Sequence, residues 1–310
     1  MKITVVGPGG VGSYYSVKLK KSGNIVNVIA RGESLKKIRE NGITLEVAGQ
    51  VENAMPDLVT DKFEEAGVSD LVILAVKAWN ITEILDSMKL LIGERTTVLP
   101  IQNGVEPYDL TRRKYCSNVI GGLTKMISIL EKPGHVRNAG GEVSVTIGEN
   151  DGSRTERVKE IADVFRSAGI ECYISEDIRK SLWEKFLIMA NLGGIGAVTR
   201  APVGVLLSVA KTRDMLAEAI NEVMEVGKAA GVALNNESRT RAWDFIKSIP
   251  PDASTSIQRD IMEGKPSELE FMSGSVIRIG KEYGIKTPVH DFIYSCLVPW
   301  ELRARKLVNF

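Results

Sequence analysis

The opening stretch Lys2-Ile3-Thr4-Val5-Val6-Gly7-Pro8-Gly9-Gly10-Val11-Gly12 limits what this chain can fold into more than any other. Residues 2–6 form a short β-branched run that reads as a buried strand and breaks at Gly7. Val11, Tyr14, Tyr15 and Leu19 then recur at helical spacing. Gly7, Gly9 and Gly12 therefore form a G-x-G-x-x-G inside a strand–turn–helix. There the first glycine permits a tight turn, the second lets a pyrophosphate approach the backbone, and the third lets helix and strand pack closely. The helix start adds unpaired N–H groups and the positive end of its dipole. Dinucleotide binding is expected, with Gly7, Pro8, Gly9, Gly10, Val11 and Gly12 around the phosphates.

With 310 residues the chain has room for two domains, each with its own core. A net charge of +1 gives no general pull toward nucleic acid or anionic lipid. No apolar run approaches the ~18 residues a membrane span needs. Neither nucleic acid nor membrane is an expected partner. The first strand begins at Lys2, so no leader is expected ahead of it. Cys116, Cys172 and Cys296 are few and widely spaced, which suits free thiols in a reducing cytoplasm, the expected location. His135 and His290 are the only histidines, and neither lies near a cysteine in sequence. No metal site is expected, which sets aside zinc hydrolases and argues against a Ser-His-Asp enzyme.

Residues 25–30 read as a second parallel strand. NAD-preferring sites usually end this strand with Asp or Glu to hold the ribose 2′-hydroxyl, but here it ends in Ala30-Arg31-Gly32. A guanidinium at that corner suits a 2′-phosphate, which favours NADP(H) over NAD(H). The other reading makes Arg31 a solvated loop residue, with Glu33 as the ribose ligand. Residues 43–55 alternate around Gly49-Gln50 as a hairpin or a short edge excursion. Residues 71–76 are the strongest strand signal and end at Lys77, either a second cation near the phosphates or a solvent-facing lysine. Residues 96–101 form another strand, ending in Gln102-Asn103-Gly104. The Asn103 amide can orient a nicotinamide or a substrate oxygen; Asn-Gly equally makes a turn. Residues 121–124, 126–130 and 143–148 read as antiparallel strands. His135, beside Pro133-Gly134, reads as a loop residue rather than a general acid. A helix over 153–169 and a strand over 170–174 close this half.

Beyond about residue 175 strand signals vanish and helical periodicity takes over. Helices are expected over 177–192, 212–230, 237–247, 256–263 and 267–283, with a last one from Pro288. The fold expected is α/β: a Rossmann-type doubly wound sheet over 1–175, then an all-helical substrate and catalytic domain over 176–310. Substrate is expected in the cleft between them. Lys185 precedes a long apolar stretch of its helix. A partly desolvated ammonium there would polarise a carbonyl and donate a proton; alternatively the lysine snorkels from the helix end. Ser256 and Glu268 either face the cleft, binding a carboxylate and a hydroxyl or Lys185, or serve structure. In the second reading Ser267 and Glu270 form a capping box and Glu268 favours the helix dipole.

Over essentially its full length the chain resembles the ketopantoate reductase (2-dehydropantoate 2-reductase) family. The resemblance rests on Gly7-x-Gly9-x-x-Gly12, Arg31, Ala75-Val76-Lys77, Gln102-Asn103-Gly104, Trp183-Glu184-Lys185, Ser256-x-Gln258-x-Asp260 and Pro266-Ser267-Glu268-Leu269-Glu270. It implies NADPH-dependent reduction of the 2-keto group of ketopantoate to (R)-pantoate, on the way to pantothenate and coenzyme A. It also implies Lys185 as general acid and Glu268 as the residue orienting it or the substrate hydroxyl. By the same resemblance Asn103 positions substrate and nicotinamide, Ser256 helps bind the carboxylate, and Arg31 and Lys77 hold the 2′-phosphate. Well-known members carry asparagines four and eight residues after the lysine, where this chain has Met189 and Gly193. They often carry another three residues before the serine, where it has Ala253. Fewer amides suit a bulkier or more apolar 2-keto acid, so a D-mandelate-dehydrogenase-like reductase is the alternative. A non-catalytic NADP(H)-sensing module is a second. The expected partner is a small 2-keto acid, and the sequence leaves a homodimer open.

Overall fold

The computed structural model describes residues 1–309. They separate into two compact units. One holds Met1–Gln102 and Pro107–Ile178; the other holds Asn103–Glu106 and the residues from Arg179 onward.

The strands of the first unit are β1 (Lys2–Val6), β2 (Ile25–Ile29), β3 (Ile43–Val47), β4 (Gln50–Ala54), β5 (Leu58–Thr60), β6 (Leu71–Leu74), β7 (Thr97–Pro100), β8 (Gly121–Lys125), β9 (Ser128–Lys132), β10 (His135–Asn138), β11 (Ser144–Gly148) and β12 (Glu171–Ile174). Its first two helices are α1 (Gly10–Lys21) and α2 (Gly32–Asn41). A five-stranded all-parallel sheet runs in the order β5-β2-β1-β6-β7, the doubly wound arrangement expected. Every residue of β6 is buried, because a parallel sheet is covered on both faces and needs no polar side. Val6 pairs with Ile29 on one side and Leu74 on the other. Gly7, Ala30 and Ala75 thus leave the sheet at one level of its carboxyl edge. Their amides continue the ladder: Gly7 N donates to Ile29 O at 3.0 Å, and Ala75 N to Val6 O at 2.9 Å.

The hairpin around Gly49 forms, with β3 and β4 antiparallel. The strands over 121–148 are antiparallel in pairs but divide between two sheets, β4-β3-β10-β9 and β12-β11-β8. His135 opens strand β10 rather than sitting in a loop, because Gly134 at φ +76° turns the chain tightly enough to set His135 opposite Lys132.

The second unit is helical: α3 (Ile178–Thr199, its first residue shared with the other unit), α4 (Val203–Ser208), α5 (Ala210–Ala229), α6 (Asn236–Ser248), α7 (Ser256–Met262), α8 (Ser273–Glu282) and α9 (Pro288–Ala304). Most of α3 beyond Leu182 is apolar and buried, so whatever charge it carries there is drawn out of water. The single helix expected over 267–283 is broken. A 3₁₀ turn at Leu269–Phe271 precedes Met272 at φ −111°, ψ −97°, and only then does α8 begin. The capping box does not form either. Ser267 is hydrogen-bonded to Glu301, and Glu270 pairs with Arg278 and accepts from Tyr294 Oη at 2.6 Å. Long-range partners have overridden the local signal.

Candidate active site

In the first unit, each glycine of the opening motif has a distinct physical reason to be there. Gly7 sits at φ +97°, a backbone region that disfavours side chains, and a Cβ there would lie 2.6 Å from Val76. At Gly12 a Cβ would collide with the Gly7 carbonyl, and at Gly10 with the backbone of Ser128. Gly9 is different: no protein atom lies within 4 Å of where its Cβ would be. The crowded glycines bring α1 against β1, and the uncrowded one leaves space at the helix start. Pro8 is buried and its carbonyl accepts from Ser13 Oγ at 3.0 Å, while Val11 packs on the core. Their side chains are therefore taken up by the protein. No acidic residue stands in the first turn of α1, so nothing there competes with an anion for its N–H groups.

Arg31 caps the start of α2, 65% exposed, with its nearest carboxylate Glu83 at 3.9 Å. Lys77 follows β6, its ammonium 5.5 Å from the centre of the Trp79 ring. β2 and β6 flank β1, so both cations leave the carboxyl edge beside the glycine loop. At the end of β7, Gln102 is buried with neither side-chain amide atom hydrogen-bonded. A loop with open space, two cations and an unsatisfied amide along one edge fit a phosphorylated dinucleotide.

In the second unit, Lys185 Nζ donates to Asn103 Oδ1 at 2.9 Å, and Asn103 Nδ2 donates to Glu268 Oε2 at 3.2 Å. Glu268 is buried. Lys185 is half-buried as a residue, but its ammonium is desolvated. Burial draws its pKa from 10.5 down to about 8, against the opposing pull of the Glu268 carboxylate. An amine with a pKa near 8, aimed by an amide, can hand a proton to an acceptor set against it. Glu184, by contrast, accepts from Ser238 Oγ at 2.7 Å and pairs with Arg241, while Gln258 Nε2 donates to Ala201 O at 3.0 Å. Those two are structural.

Ser256 begins α7, capped by Thr255, and its hydroxyl has no hydrogen-bond partner among the described residues. No hydrogen bond joins it to the lysine–asparagine–glutamate chain among the described residues. Gly193 on α3 faces Thr255 and Ile257, whose Cδ1 would lie 3.3 Å from an added Cβ, so any side chain there would press on Ile257. Asn191 does not stand in for the missing amides. It is fully buried, its Nδ2 on Leu187 O at 2.6 Å and its Oδ1 3.1 Å from His290 Nε2. The contact of Glu301 with Ser267 was not visible in the sequence: the two lie 34 positions apart, and no local pattern marks such a pair.

The family model described as "Ketopantoate reductase PanE/ApbA" matches residues 3–152, and its C-terminal companion matches residues 177–300. The chain belongs to the ketopantoate reductase family. It is 30% identical to a 2-dehydropantoate 2-reductase of Aquifex aeolicus, over 97% of both chains. The crystal structure of a PanE/ApbA family ketopantoate reductase from Ralstonia eutropha superposes with a TM-score of 0.88 at 26% identity, over 98% of this chain and 100% of that one. A ternary structure of D-mandelate dehydrogenase with NADH and anilino(oxo)acetate superposes at 0.89 and 25% identity, over 98% and 99%. Membership of this family makes the chain an oxidoreductase. Among the described residues no helix is long and apolar enough to cross a membrane.

Proposed function

We propose that this chain is an NADPH-dependent 2-keto acid reductase in the cytoplasm, converting ketopantoate to (R)-pantoate for pantothenate and coenzyme A synthesis. The observation that carries this reading is the chain Lys185–Asn103–Glu268, with a lysine whose pKa is about 8. Residues 1–175 serve as the cofactor domain and 176–310 as the substrate domain. The glycine loop takes the pyrophosphate on the amides at the start of α1, and Arg31 and Lys77 take the 2′-phosphate. When bound, the nicotinamide supplies the hydride.

Lys185 hydrogen-bonds the keto oxygen, polarises the carbonyl, and passes its Nζ proton to that oxygen as the hydroxyl forms. Left neutral, it regains a proton from water. Asn103 fixes the direction of the ammonium, and Glu268 stabilises its charged form against burial. Ser256 offers its hydroxyl to the substrate carboxylate.

A second reading rests on Met189, Gly193 and Ala253, which replace amides with apolar or absent side chains. It makes the substrate a bulkier branched or aromatic 2-keto acid. Its support is the likeness to D-mandelate dehydrogenase. Measuring NADPH and NADH oxidation with ketopantoate, 2-ketoisovalerate and phenylglyoxylate separates the two. The leading reading expects the highest kcat/KM for NADPH with ketopantoate. Turnover of phenylglyoxylate without turnover of ketopantoate would establish the second.

A further inference from the structure

Glu301 lies near the end of α9 and is buried, 6% exposed. Its Oε2 accepts from Ser267 N at 2.9 Å and Ser267 Oγ at 2.6 Å, and its Oε1 from Arg305 Nε at 2.6 Å. Arg305 Nη2 closes the ring by donating to Ser267 O at 3.2 Å. The fully buried Ser267 is thus held at its amide, its hydroxyl and its carbonyl. Its Oγ also accepts from Leu269 N at 3.3 Å, so the residues on both sides of Glu268 are fixed. A loop between helices would otherwise be free to slide, and Glu268 has to stay within reach of the Asn103 amide. The capping-box pattern at Ser267 and Glu270 is present in the sequence but unused, because this distant carboxylate has captured the serine.

We propose that Glu301 is a positioning residue of the active site, acting through Ser267 to hold Glu268 in register with Asn103 and Lys185. The inference rests on the reading of Lys185 as proton donor. Glu301 sits beside Arg305, so its influence on Lys185 passes through geometry rather than through its own field. The other titratable group facing Glu301 is Tyr294, on the same helix, and the carboxylate facing Lys185 is Glu268. The groups hydrogen-bonded to Glu301, Ser267 N and Oγ and Arg305 Nε, are all donors. Glu301→Gln therefore sets an NH₂ against an N–H or O–H and loosens Ser267 with little change of volume.

The test reads Lys185 directly. The pH dependence of its acetylation by limiting acetic anhydride, followed by peptide mass spectrometry, gives its pKa without any need for turnover. Wild type should titrate near 8. Glu268→Gln should lower that value by roughly one unit, because an opposite charge is lost. Glu301→Gln should lower it in the same direction by a smaller amount, and Ser267→Ala by less again. With a 2-keto acid substrate, Glu301→Gln should reduce kcat about tenfold, a loss typical of misplaced catalytic groups, with NADPH affinity unchanged. A folded Glu301→Gln protein in which Lys185 titrates as in wild type would overturn the proposal. Should that variant fail to fold, an unmoved Lys185 in folded Ser267→Ala would overturn it equally. If wild type reduces no 2-keto acid, the proposed reaction fails, while the titration still judges the Glu301 contact.

Discussion

Lys185 and Glu268 are bridged by the Asn103 amide, whose oxygen accepts from the ammonium at 2.9 Å and whose nitrogen donates to the carboxylate at 3.2 Å. Burial lowers the lysine's pKa to about 8 and the Glu268 carboxylate opposes that fall, so near neutrality the amine both carries and gives up a proton.

The corner after β2 predicts cofactor choice. Arg31→Ala removes a charge-assisted contact to a phosphate that only NADPH carries, so NADPH affinity should fall at least ~10-fold while NADH affinity barely moves. Fluorescence titration with both cofactors measures it. Equal losses would assign Arg31 to solvent and return Glu33 to consideration.

The glycine loop separates fold from binding. Gly12→Ala collides with the Gly7 carbonyl and should destabilise the protein by about 1–3 kcal/mol, the usual range for overpacking. Gly9→Ala meets nothing within 4 Å and should change stability by less than about 1 kcal/mol, yet weaken NADPH binding at least ~10-fold. Thermal unfolding and cofactor titration of both variants test the contrast. A Gly9→Ala protein with wild-type affinity would take the pyrophosphate away from this loop.

Much of this was legible in the sequence because the signals are local. The β1–α1 unit, the buried run of β6 and the hairpin at Gly49 each declare themselves within a dozen residues, and the helical half announces itself by period. What escaped depends on distant partners. β5 is only Leu58–Thr60, too short for any periodicity, and is a strand because it pairs with β2. The break before α8 exists because Glu301 takes Ser267. Asn191 carries the right side chain for a substrate contact, but His290 claims it. Local pattern gave the types of these residues; that Glu268 lies near Lys185 was one open reading, supported by the family resemblance, and the amide of Asn103 between them was not foreseen.

His290 predicts acid sensitivity. It is fully buried between Ser273 Oγ at 3.2 Å and Asn191 at 3.1 Å, and burial lowers its pKa from 6.5 to about 4. Its folded pKa is depressed, so the unfolded chain binds the extra proton between those two values. Stability should therefore fall as pH drops from 6.5 toward 4, by about 3 kcal/mol from this group alone. Denaturant unfolding across that window should show a slope to which His290 contributes about one proton in wild type. The slope should be reduced by that amount in His290→Gln. An unchanged slope in the variant would assign the proton elsewhere.

The most direct measurement is the pH profile of NADPH-dependent 2-keto acid reduction by wild type and Lys185→Met. Lys185 is protonated below its folded pKa, so wild-type kcat should hold on the acid side and decline as pH rises through about 8. Because Lys185→Met removes a cation whose burial opposes folding at pH 7, its Tm should be no lower than wild type's. Its kcat should drop by roughly 10²–10⁴ and lose that alkaline limb. A folded Lys185→Met enzyme with wild-type turnover and the same limb would contradict the account.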